Sequence, residues 1–131
     1  SSSRSNALEV DWDGNVECAN LGVPKSLTAP TLTKSSGNSN ASVIAFSGYG
    51  KMRMLILSFT TTAAVASGAN VWSGSISSEA HPYIATFGLG FYGGAAIVGS
   101  YVAGGTLTVR AIGAQVASGA TAWLYFTYFV A

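Results

Sequence analysis

Residues 120–130 read Ala-Thr-Ala-Trp-Leu-Tyr-Phe-Thr-Tyr-Phe-Val, a run with no charge, glycine or proline. Most of these residues are aromatic or β-branched, types that suit a pleated surface and lose χ1 freedom in a helix, so the run predicts a strand. One face of its pleat carries Trp123, Tyr125, Thr127 and Phe129, and the other carries Leu124, Phe126, Tyr128 and Val130. A strand with one wet side alternates with polar residues. Here both faces are apolar, which predicts cover from two directions: the strand's own domain and a neighbouring subunit. Each large side chain moved fully out of water contributes about 1.5–3 kcal/mol, so an open second face would forgo several kcal/mol and favour aggregation. The stretch therefore predicts an obligate oligomer.

With 131 residues the chain has the length of one main domain. Charged residues are 8% of it, against a usual quarter, while 49% is hydrophobic, which is not the composition of a disordered chain. A net charge of +1 gives no electrostatic reason to expect nucleic acid or an acidic membrane surface as partner. Four of the five acidic residues, Glu9, Asp11, Asp13 and Glu17, cluster near the start, and from Ser35 onward only Lys51, Arg53, Glu79 and Arg110 are charged. So sparse a charged surface again points to burial between copies. Cys18 is alone, so no intrachain disulfide is available. The opening Ser-Ser-Ser-Arg-Ser-Asn lacks the apolar run of a secretion signal and reads as a lead-in or the cut end of a longer parent. Residues 80–109 carry no charge, but seven glycines interrupt them, and Phe87, Leu89 and Phe91 alternate with glycine at period two. That is a strand pattern, and no membrane insertion is expected.

Along the chain, Asp13-Gly14-Asn15 between two short strand-like runs predicts a β-hairpin. Asp11, Asp13 and Asn15 match the first ligand positions of a calcium loop, but Val16 stands where the loop glycine belongs and Gly22 where the closing glutamate belongs, so no metal is expected. Pro24 and Pro30 mark a connector. The division expected is residues 1–24 as hairpin and connector, with residues 25–131 as the main domain. From Ser42 onward short strands alternate with Gly, Ser and Ala turns, predicting an all-β antiparallel sandwich or jelly roll of about eight strands. Residues 51–59 place Arg53, Leu55, Leu57 and Phe59 on one face and Met52, Met54, Ile56 and Ser58 on the other, a central strand. Residues 106–112 point Leu107, Val109 and Ala111 one way and Thr106, Thr108 and Arg110 the other, a strand with one wetter face. An internal echo joins the two halves: Val-Ala-Ser-Gly-Ala-Asn-Val-Trp at 65–72 matches Val-Ala-Ser-Gly-Ala-Thr-Ala-Trp at 116–123 in six of eight positions. Each copy follows a strand and opens into a tryptophan-bearing one, which predicts two similar hairpins.

Catalytic chemistry is poorly supplied. Gly88-Leu89-Gly90-Phe91-Tyr92-Gly93 satisfies G-x-G-x-x-G, but no helix pattern follows and Arg110 stands where an acidic ribose partner would be needed, so close-packed strand glycines are the expectation. His81 is the only histidine, and Ser47 lacks the setting of a nucleophile elbow. One His, one Cys and a distant acidic cluster do not make a metal site, and the main domain has only Glu79 where glycoside hydrolysis wants two carboxylates. No catalytic residues, metal or cofactor are expected. Binding remains. Residues 78–83 mix polar, charged and aromatic groups in a predicted loop, and the candidate ligand-binding residues are Trp72, Glu79, His81 and Tyr83, with Arg53 as a weaker one.

The Val10-Asp11-Trp12-Asp13-Gly14-Asn15-Val16 hairpin, the connector, the low-charge β domain with Gly104-Gly105-Thr106-Leu107-Thr108-Val109-Arg110, and the aromatic last strand together resemble the distal part of bacteriophage tail-fibre and receptor-binding proteins. The likeness is one of pattern over most of the chain. It implies a homotrimeric head on a fibre shaft, carried on the virion at a tail-fibre or baseplate tip, that attaches to a host-surface saccharide or protein receptor. The alternatives are a structural cap that trimerises a virion fibre, and a bacterial surface adhesin or lectin.

Overall fold

The computed structural model describes residues 8–10, 16–18 and 25–131. Two short strands, β1 (Leu8–Val10) and β2 (Val16–Cys18), pair antiparallel with Leu8 opposite Cys18. The Asp13-Gly14-Asn15 turn expected between them, and the calcium ligands weighed there, lie outside the described residues. The other strands are β3 (Lys25–Ser26), β4 (Leu32–Ser36), β5 (Ser39–Tyr49), β6 (Met52–Thr61), β7 (Asn70–Ile76), β8 (Thr86–Tyr92), β9 (Ala95–Tyr101), β10 (Thr106–Ile112) and β11 (Thr121–Phe129). They form one antiparallel sheet in the order β3-β5-β6-β11-β8-β9-β10-β7-β4. The sheet curls until β5 and β6 approach β7, closing a single core in the sandwich-like, all-β manner that the strand pattern predicts. Among the described residues the only helical piece is a 3₁₀ turn, Ser78–Ala80.

Period-two alternation builds that core. Leu55, Leu57 and Phe59 of β6 share one buried cluster with Leu124 and Phe126 of β11, Ile97 and Tyr101 of β9, and Leu107 and Val109 of β10. Tyr101 meets the edges of Phe126 and Tyr128 with ring centroids 5.7 Å apart in each pair, the tilted geometry that aromatic quadrupoles favour. Every buried phenol has an acceptor. Tyr92 donates to the Phe59 carbonyl at 2.9 Å, and Tyr101 and Tyr128 both donate to the Ala80 carbonyl, at 2.6 and 2.7 Å. Burial pushes Tyr92 up to about 12. It raises Tyr101 and Tyr128 further still, with the neighbouring Tyr128 phenol and Glu79 adding to the rise at Tyr101.

The echo does not form two hairpins. β6 runs through the first copy into β7, which pairs with β10, and β10 runs through the second copy into β11, which pairs with β6. A hairpin returns beside its own strand, whereas these two connections cross between halves of the curled sheet and exchange partners. They meet on the way, where Val65 and Val116 exchange two backbone hydrogen bonds of 2.8 Å. Gly68 at φ +82 and Gly119 at φ +80 turn the chain in the left-handed region, which a Cβ would penalise.

Candidate functional site

The structure gathers four of the five residues singled out by the sequence at one pole of the domain and places the fifth in the core. Trp72 is 1% exposed. Its indole lies over Gly74 and is tilted against Phe59 at 6.0 Å, so it has no surface to offer a ligand. The reason is a bulge in β7: Trp72 pairs with Val109 while Asn70 pairs with Arg110, which leaves Val71 as the extra residue and turns the tryptophan inward. Arg53, the second residue of β6, lies opposite Tyr128. Its Nη1 donates to the carbonyls of Gly50 and Met52, both at 2.8 Å, so the guanidinium clamps the β5–β6 turn. His81 places Nε2 2.6 Å from the Ile76 carbonyl oxygen. A carbonyl only accepts, so Nε2 carries the proton, and the ring packs where a Cβ on Gly105 would collide with it. Glu79 is exposed and accepts from the Ser77 hydroxyl at 2.7 Å, while that hydroxyl accepts from the Thr31 amide at 2.8 Å. The Ser77 hydrogen bond, aided by a backbone one, holds the Glu79 carboxyl below the usual carboxylate range. Tyr83 is 64% exposed, and its amide donates to the Phe129 carbonyl at 2.7 Å, tying the loop to the end of β11. No group of three His, Cys, Asp or Glu side chains forms among the described residues.

Beside this pole lies a broad open face. β11 buries Ala122, Leu124, Phe126 and Tyr128 and turns Trp123 and Tyr125 outward, 46% and 51% exposed, with Phe129 beyond them. Among the described residues, the core thus covers one face of the strand and the second is left open. Neighbouring β8 is inverted: Phe87, Leu89 and Phe91 point out, while Gly88 and Gly90 are buried. A Cβ on Gly88 would strike the Phe126 ring and the Tyr125 carbonyl, and one on Gly90 would land on the Trp123 carbonyl. Gly88 and Gly90 therefore let the large inner side chains of β11 fill the core, while Gly93, at φ +54, turns the chain between β8 and β9. Strand register lays Arg110, Val98, Leu89, Tyr125, Ile56 and Ala45 in one row across β10, β9, β8, β11, β6 and β5. Only Arg110, at the end of the row, is charged. The outer aromatics Phe87, Phe91, Trp123, Tyr125 and Phe129 are 46–71% open; at about 200 Å² per ring, with Leu89 and Met54 added, the apolar patch comes to roughly 700–800 Å². The largest patch on an ordinary monomer is about 300–600 Å².

Where the open face meets the pole, Tyr83, Ile84, Thr86, Thr127 and Phe129 line a shallow groove of about 340 Å³. A second hollow of about 400 Å³ shares Tyr83 and Phe129 and adds Lys51, Val130 and Ala131. Arg53, Glu79 and His81 line neither. Sequence reasoning found Tyr83 through its loop but missed Phe129 and Lys51, which come from the end of β11 and the β5–β6 turn. The backbone bonds from Tyr83 to Phe129 and from Val130 to Lys51 bring them together. No protein-family model and no curated protein matches the chain. The groove and the adjoining hollow together combine two open aromatic rings, two threonine hydroxyls and one ammonium group, a set able to stack on and hydrogen-bond a polyhydroxylated ligand.

Proposed function

We propose that this chain is the distal head of a phage tail fibre or related receptor-binding protein, carried in three copies on the virion, and that it attaches to a host-surface saccharide through the groove at Tyr83. The observation that supports this reading is the groove's chemistry: Tyr83 and Phe129 flank it, Thr86 and Thr127 offer hydroxyls, and Lys51 lines the adjoining hollow that shares both rings. Aromatic faces stack on the C–H faces of sugar rings, and the hydroxyls and ammonium bond their oxygens. Its volume falls at the lower end of the roughly 300–1,000 Å³ typical of small-ligand sites. Attachment without turnover suits a surface on which His81 and Glu79 are held by the Ile76 carbonyl and the Ser77 hydroxyl.

A glycan array and binding to host cells test the reading. Tyr83→Ala should weaken binding by about 1–3 kcal/mol, the range for losing an aromatic contact, and leave the melting temperature nearly unchanged. If the wild-type protein binds neither glycans nor cells, the second reading takes over: a structural cap that trimerises a fibre. That alternative is favoured by the wide uncharged face beside the groove.

A further inference from the structure

We infer that the outer face of β6, β11 and β8 is the surface through which copies of this chain pack on one another. The molecule itself supplies the comparison. Where its sheet faces water, the outward positions are small and polar, as with Ser73 and Ser75 on β7 and Thr106 and Thr108 on β10. On β8 the outward positions are Phe87, Leu89 and Phe91, the last 63% exposed, and the inward ones are glycine. A strand needed only to complete its own core would be patterned the other way round, so these side chains serve a contact beyond the sheet that the described residues form.

Two further features identify the occupant as a second copy. The open apolar area, roughly 700–800 Å² before the flanking Ile56, Val98 and threonines are counted, matches the ~800 Å² that one side of a stable interface buries, and its aromatic content is that of an interface centre. The outward positions of β6, β11, β8 and β9 also carry no charge. A face that meets its own kind must avoid like charges opposite each other, whereas one built for a charged partner would carry the complement. Arg110, at the end of the row, falls at the rim, where it stays hydrated. The inference rests on the proposed function only for the copy number of three; the face is argued from area, patterning and charge.

Sedimentation velocity on the whole chain at micromolar concentration, with neutral phosphatidylcholine vesicles as a second arm, tests it. The wild type should form one discrete oligomer and ignore the vesicles. Leu89→Lys, and the milder Tyr125→Ser, should keep a cooperative melt and sediment as monomers. Tyr83→Ala should keep the wild-type mass, so a failed receptor reading leaves this result standing, and a failed interface leaves the glycan result standing. A monomeric wild type would overturn the inference, as would a wild-type mass retained by both face variants or uptake onto vesicles in place of self-association.

Discussion

Trp72 and Trp123 end the two copies of one echo and share the same approach, Val-Ala-Ser-Gly-Ala, yet one is 1% exposed and the other 46%. Both copies turn on a left-handed glycine, and both lead into a strand whose residue before the tryptophan, Val71 or Ala122, is buried. The difference is one residue of register. β11 pairs without interruption, so Ala122 opposite Phe59 faces in and Trp123 opposite Ser58 faces out. β7 carries its bulge at Val71, which reverses the pleat and sends Trp72 in to join Val109. A local motif sets the turn; the partner strand sets which way its last side chain points.

The sharpest way to break this contrast is on β11 itself. Phe126→Asp would bury an unpaired carboxylate, at a cost comparable with the whole stability of a domain, and should yield no folded protein. Tyr125→Asp puts the same charge on the open face and should give a soluble, cooperatively melting chain of reduced mass. The apolar pleat of residues 120–130 treats the two positions alike, both expecting cover; the open outer face separates them. Next in size, Trp72→Ala should cost about 3–5 kcal/mol in urea unfolding, as large buried aromatics do. Trp123→Ala, measured in the Leu89→Lys background so that association does not contribute, should cost less than about 1 kcal/mol. Equal losses would mean that the bulge does not divide their fates.

The shared part of the echo predicts agreement instead. Gly68→Ala and Gly119→Ala should each destabilise by about 1–2 kcal/mol, and by similar amounts, because a Cβ at either position touches nothing and acts only through the left-handed backbone. A loss at one site alone would show that the two turns are not equivalent.

The smallest effect near neutral pH belongs to the inner tyrosines. Their folded pKa values lie above the unfolded value of about 10. The stability they confer is therefore fully present below pH 10 and is lost as pH rises through the folded value, about 12 for Tyr92. The melting temperature should hold up to pH 10 and then fall, and Tyr92→Phe should shrink the part of that fall due to Tyr92. A flat profile from pH 9 to 12 would contradict the burial of these phenols.

Several parts of the site were legible because they depend on neighbours in sequence. Tyr83 follows Pro82 after a polar turn, which marks it as accessible, and the glycines alternating with Phe87, Leu89 and Phe91 mark strand positions. Which of those sets faced the core was not legible. A Phe-Gly-Leu-Gly-Phe strand has the same period whichever side faces in, and only Phe126 and Ile97, pressing where Cβ atoms would sit, decide the matter. Arg53 and His81 looked like binding groups because their types are polar; nearby carbonyls had already claimed them.

The sequence by itself determined the all-β class, the strand at residues 120–130, the inward set Leu107, Val109 and Ala111, and the two matched turns, since period-two hydropathy and glycine conformations act within a few residues. Only the tertiary structure decided that the echoes exchange partners, that Trp72 is core and Trp123 surface, and that Tyr83, Phe129 and Lys51 share one rim. Those outcomes depend on strand register between segments more than 30 residues apart. A single extra residue there inverts every side chain beyond it without leaving a local trace.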